Sequence, residues 1–200
     1  MKTTKKALLL AFCAVLLVVS TVFATLAYLT STTEVVKNTF TVGKVEITLD
    51  EAEVDEYGEN ENGRTTIGNE YKLIPGHEYI KDPTVYVDST SEKCYVFVEV
   101  VNNIDEIEDG ETIATQMGRL GWTQITGTNV WYYNTTVDPS VKDADLNLEV
   151  FESFTIKGDA NVDDYVTATN ADSYITIKAF AVQADGFDTA TDAWDATFGA

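Results

Sequence analysis

Side chains able to do chemistry are few in this chain and lie far apart. The single histidine, His77, stands in Pro75-Gly76-His77-Glu78, a turn context that reads as a solvent-exposed loop. Cys94 opens the run Cys94-Tyr95-Val96-Phe97-Val98-Glu99-Val100-Val101, which reads as a buried strand. A free thiol in such a place behaves as a small hydrophobe. Nucleophilic catalysis needs an activating base beside the thiol or hydroxyl, and no histidine is near Cys94 in sequence. Zinc asks for three or four nitrogen, sulfur or carboxylate ligands, poorly served by one histidine and one distant cysteine. His-Glu-x-x-His, a phosphate-cradling glycine loop and Gly-x-Ser-x-Gly do not occur in the sequence. With 33 Asp and Glu in 200 residues, carboxylate pairs of the glycosidase kind arise by chance. The reading is that the chain is not an enzyme.

One cofactor is hinted at. Asp159-Ala160-Asn161-Val162-Asp163 sets Asp159, Asn161 and Asp163 at alternate positions, as a calcium loop does. Asp164 occupies the place of the loop glycine, and Asn170 that of the bidentate glutamate. Asp185-Gly186-Phe187-Asp188 is a weaker version of the same signal. No cofactor is required, with calcium the sole candidate. Asn134-Thr135-Thr136 fits the glycosylation sequon.

The elements that position these residues read as strands. Candidates are Thr39–Leu49, Tyr71–Ile74, Tyr79–Val87, Cys94–Val101, Gly121–Ile125, Val130–Tyr133, Leu148–Ile156 and Tyr174–Gln183. Alternation in the first changes parity at Gly43, where a bulge would keep both halves on one core. The Cys94 and Tyr174 runs are apolar on nearly both faces, as central strands are. Short helices fit Gly110–Met117 and Asp192–Phe198. Strands do not alternate with helices, so an all-β fold is expected, an antiparallel two-sheet sandwich of jelly-roll type with one or two short helices. Asp50 to Gly63 carries seven acidic side chains among its residues and reads as a mobile solvated loop.

Composition bounds the partners. The chain holds 13 basic against 33 acidic side chains, a net charge of −20. Such a surface repels phosphate backbones and anionic lipid, which excludes nucleic acid. Lys2, Lys5 and Lys6 precede an apolar run from Ala7 to Ala24, and Ala24-Thr25-Leu26-Ala27 supplies small residues for a signal peptidase. Residues 1–27 therefore read as a signal peptide cut between Ala27 and Tyr28, leaving no stable membrane span. Loss of the three leader lysines takes the net charge to about −23. The mature protein keeps one thiol, so no internal disulfide forms. Residues 28–200 suit a single domain.

Tyr28 to Asn38 is extended, β-prone and free of Pro and Gly. A segment of this kind can serve as an ordinary first strand or pair with an exposed sheet edge. Here the chain resembles a known family. Ala24-Thr25-Leu26-Ala27-Tyr28-Leu29-Thr30-Ser31, then Asn38-Thr39-Phe40-Thr41-Val42-Gly43-Lys44-Val45-Glu46-Ile47-Thr48-Leu49, is similar to the leader junction of the TasA/camelysin family. Leu73-Ile74-Pro75-Gly76, Tyr95-Val96-Phe97-Val98 and the close Ile175–Gly186 followed by Ala193-Trp194 agree in order. The resemblance implies Gram-positive export through a SipW-type signal peptidase and a jelly roll in the extracellular matrix or at the cell surface. In one branch it also implies biofilm fibres, in which the N-terminal segment of one subunit completes the sheet of the next. Carried over, the arm is residues 28–39, with Leu29, Val35 and Val36 filling pockets in a head-to-tail homopolymer that meets other matrix or cell-surface proteins. The alternatives are a monomeric surface-associated binding module, calcium-stabilised, and a camelysin-type metalloprotease, for which the histidines are lacking.

Overall fold

A computed structural model describes Lys6, Phe12, Cys13, Val15, Leu16 and residues 43–162 and 174–199. Met1–Thr41 and Val42–Ala200 are two separate compact units. In the first, the five described residues are helical and exposed. No described helix is long and apolar enough to cross a membrane.

The second unit is built mainly of strands, with two short α-helices among the described residues. In chain order these are β1 (Ile47–Val54), β2 (Asn60–Thr65), β3 (Glu78–Ile80), β4 (Thr84–Val87), β5 (Cys94–Asn102), β6 (Glu108–Asp109), α1 (Ile113–Arg119), β7 (Trp122–Gln124), β8 (Val130–Tyr133), β9 (Asn147–Glu149), β10 (Ser153–Ile156), β11 (Ile175–Gln183) and α2 (Ala190–Phe198). Every strand pair is antiparallel, in three sheets ordered β2-β1-β4-β9, β3-β10-β6 and β11-β5-β8-β7.

The three sheets share one core. Val85, Val87 and Leu148 come from the first, Tyr79, Phe154 and Ile156 from the second, and Val96, Val98, Val100 and Trp122 from the third. Trp122 resolves its polar edge by donating Nε1–H to the Glu149 carbonyl at 2.8 Å. α1 is capped by Thr112, whose hydroxyl accepts from the Thr115 amide. It lays Ile113 and Met117 into the core, while its buried Gln116 binds backbone groups of Glu111, Glu152 and Ser153.

Two expected long strands are each divided. Tyr79–Val87 breaks at Lys81-Asp82-Pro83, and Leu148–Ile156 breaks at Val150-Phe151-Glu152. Both halves remain partnered, β3 with β10 and β4 with β9. The two segments therefore pass together from one sheet to another. Pro83 has no amide hydrogen for a continuous ladder, and its carbonyl instead accepts from Val150 at 2.8 Å. Tyr71–Ile74 forms no strand, although Tyr71 and Leu73 pack on the core. Gly43 lies outside every described strand, so the expected bulge is not there. The first sheet's bulge falls at Glu53 and Val54.

The acidic run is corrected most. Asp50–Gly63, expected as a mobile loop, completes β1, turns, and begins β2. Three of its carboxylates, those of Asp50, Glu51 and Asp55, are matched from within the fold. Arg64 reaches Asp50 at 2.6 Å and Asp82 at 2.7 Å, and Asp82 accepts from the Ala52 amide at 2.5 Å. Asp55 organises the turn, its carboxylate accepting from the amides of Tyr57 and Glu59, both at 2.9 Å. Gly58 has φ +77°, and a Cβ there would stand 2.9 Å from the Tyr79 Cα, so the turn seats against the core only with glycine.

Candidate functional site

β11 is the element that best repays a functional reading. Its sequence Ile-Thr-Ile-Lys-Ala-Phe-Ala-Val-Gln is apolar on both faces at its C-terminal end, and the fold uses both. Ile175, Ile177, Ala179 and Ala181 pack on the main core, while Phe180 and Val182 join Phe97, Val130, Ala190 and Ala193 in a second cluster under α2. Trp194 anchors that helix, its ring 5.2 Å from Phe97 and 5.3 Å from Phe180. Thr189 caps it by accepting from the Asp192 amide at 3.1 Å.

The two-sided apolar character made both β5 and β11 central strands in expectation. β5 is central, between β11 and β8. β11 is not, since among the described residues its only ladder is with β5, over all nine residues. A helix covering the outer face makes an edge strand look central in sequence. Burial records the difference. Val96, Val98 and Val100 of β5 are 0–7 % exposed, while Ile175, Ile177, Ala179 and Ala181 of β11 are only partly buried.

Beside this edge runs a cleft of about 200 Å³, lined by Leu49, Thr65, Ile67, Lys81, Pro83 and residues 175–177 among others. β1 forms its other wall. Ile47–Asp50 pairs with β4 on one side, but β2 joins β1 only from Glu51 onward. On the β2 side, Ile47–Asp50 therefore has no described strand partner. Ile67, 94 % exposed, stands at the mouth. Two strand edges, in a cleft of mixed polar and apolar lining, can accept an extended segment by main-chain hydrogen bonding, with alternate side chains pointing inward.

The residues singled out from sequence are placed as follows. Ala27, Tyr28, Leu29, Val35, Val36 and Asp163 lie outside the described residues. Asp159 and Asn161 are exposed in the turn after β10. Among the described residues, no group of three or more His, Cys, Asp or Glu is placed to hold a metal ion. Cys94 is fully buried, and desolvation pushes its thiol up to about 11, which suits packing rather than nucleophilic attack. His77 is only partly exposed. Its Nε2 lies 2.8 Å from the Tyr57 carbonyl and its ring packs edge-on against Tyr79 at 4.6 Å, so it helps seat the acidic turn. Asn134 of the sequon is exposed and accepts from Thr123 at 2.6 Å.

Sequence reasoning missed the buried polar centre under β1. Glu51 and Lys81 are 6 % and 5 % exposed and form an ion pair. Asn69 donates to Glu51 at 2.8 Å. The ring of Tyr71 lies 5.9 Å from Lys81 Nζ, and burial, then the charge of Glu51, raises its phenol above the ordinary tyrosine range. Glu51 sits two residues after the core residue Leu49 and so continues the inward face of β1. That parity was the available signal. No known protein family, curated protein or solved structure matches this chain.

Proposed function

We propose that this protein is a secreted structural subunit of a cell-surface or biofilm-matrix fibre, its jelly-roll sandwich completed by the N-terminal arm of a neighbouring copy. The observation that carries the reading is the edge of β11 that has no strand partner among the described residues, where the inward side chains are less covered than those of β5 beside it. A β-prone segment within residues 28–39, with Leu29, Val35 and Val36 as its candidate pocket-filling side chains, has the chemistry to fill such an edge. Donation from one copy to the next, without closure, yields an open filament. Net charge near −23 on each subunit opposes assembly over a Debye length of about 10 Å at 0.1 M salt.

Negative-stain electron microscopy tests the reading. Protein beginning at Tyr28 forms filaments, more readily at high salt or low pH, whereas protein beginning at Thr39 stays monomeric. Val35→Asp with Val36→Asp abolishes filaments and leaves the folded unit intact by circular dichroism. Monomers from the full arm at high concentration and low pH would overturn the fibre reading. Failure of the double variant to fold would make the arm an intramolecular strand.

A further inference from the structure

Three side chains from separate segments meet at one carboxylate. Glu51 lies on β1, Asn69 follows β2, and Lys81 lies between β3 and β4. Glu51 Oε2 accepts from Lys81 Nζ, and Glu51 Oε1 accepts from Asn69 Nδ2 at 2.8 Å. The remaining bonds of the amide fix its orientation. Its Oδ1 accepts from the Val54 amide at 3.1 Å, and its Nδ2 also donates to the Ala52 carbonyl at 2.8 Å. Lys81 and Glu51 are almost wholly out of solvent, beside the ring of Tyr71. A buried nucleophile and acid–base group are thereby assembled with a half-buried acyl centre that has a donor on its carbonyl oxygen.

We propose that Lys81 and Asn69 join in an intramolecular isopeptide bond, with Glu51 carrying protons between them. Glu51 takes a proton from the Lys81 ammonium along their hydrogen bond, freeing the Nζ lone pair. Nζ adds to Cγ of Asn69, and the carbonyl electron pair moves onto Oδ1, where the Val54 amide stabilises the developing charge. Collapse breaks the Cγ–Nδ2 bond. Glu51 protonates the departing Nδ2 and receives the surplus proton from Nζ. One C–N bond forms, one breaks, and ammonia leaves, carrying off or leaving on Glu51 the proton that had made Lys81 a cation. Nothing is oxidised or reduced. The product replaces a buried ion pair, whose desolvation is costly, with a neutral amide. It also ties the segment after β2 to the β3–β4 corner.

The inference does not depend on the fibre reading, because the bond lies within one subunit. Mass spectrometry of the purified protein tests it. The expected intact mass lies about 17 Da below that of the unmodified chain. Trypsin should then leave Lys81 uncut and release a branched peptide joining Thr65–Lys72 to Leu73–Lys93. Glu51→Gln and Lys81→Arg each restore the full mass, and Asn69→Asp changes the loss to about 18 Da, as water replaces ammonia. A wild-type chain of full mass, with Lys81 cleaved, overturns the proposal without any variant. Loss of ammonia with Lys81 still cleaved does so equally, since it marks ring closure at Asn62-Gly63 instead.

Discussion

Around β1 and β2 the interior is charged and matched group by group, whereas around β5, β11 and α2 it is apolar and packed in bulk. In the hairpin, Arg64 holds Asp50 and Asp82, Asp55 gathers the turn amides, and Glu51 is met by Lys81 and Asn69. In the second region Phe97, Phe180 and Trp194 interlock with ring centres 5.2–5.3 Å apart. Charge matching fixes geometry but returns little net free energy, because each ion must first lose water. Apolar packing returns more and tolerates a free edge. Among the described residues, β11 of the apolar region is laddered on one side only.

Substitutions can break this contrast. Phe97→Ala should cost about 3–5 kcal/mol, because a fully buried ring between the core and α2 leaves a cavity. Urea unfolding followed by tryptophan fluorescence measures it. Arg64→Ala should cost only about 1 kcal/mol, since the guanidinium is partly exposed and its pairs are solvent-screened. That loss should shrink in 1 M salt, where the screening length falls to about 3 Å. A salt-independent loss would mean that the hydrogen bonds of Arg64, rather than its charge, hold the hairpin.

A third carboxylate sharpens the comparison. Glu108, on β6, is 5 % exposed and has Asn102 as a neutral partner at 2.9 Å rather than a cation. Burial pushes its carboxyl above the usual range. The folded state therefore holds this proton more tightly than the unfolded state. Its contribution to stability is present in full below the ordinary glutamate range and is lost as pH rises through the raised folded value. Glu108→Gln should keep the Asn102 contact and flatten this part of the profile, with a gain of under about 1 kcal/mol at neutral pH. Thermal melts of both proteins between acid and neutral pH would reveal it. Parallel profiles would place the pH dependence elsewhere.

Much of the β architecture was legible because strand signals are local. Val130–Tyr133 is a strand with the expected bounds, and Cys94–Val101 and Tyr174–Gln183 differ by a residue at one end. Two-residue alternation and β-branched side chains report such segments directly. β2 left no such trace. Asn60-Glu61-Asn62-Gly63-Arg64-Thr65 has no apolar side chain, and it is a strand because β1 offers its backbone a ladder and Asp50 and Asp82 hold Arg64. The arm and Asp163 of the calcium candidate fall outside what the structure describes, while the position of β11 at the end of its sheet was invisible in sequence because α2 covers one of its faces.

By itself the sequence determined an all-β chain with scant catalytic material, a strongly acidic surface and the positions of most strands. Each of those follows from residue type and near-neighbour spacing. Only the tertiary structure decided that Tyr79–Val87 and Leu148–Ile156 change sheets, that β11 ends its sheet, and that Glu51, Asn69 and Lys81 share one buried site. Those outcomes depend on pairing between residues 18–89 apart in the chain, and long-range pairing is set by the whole core rather than by any local run.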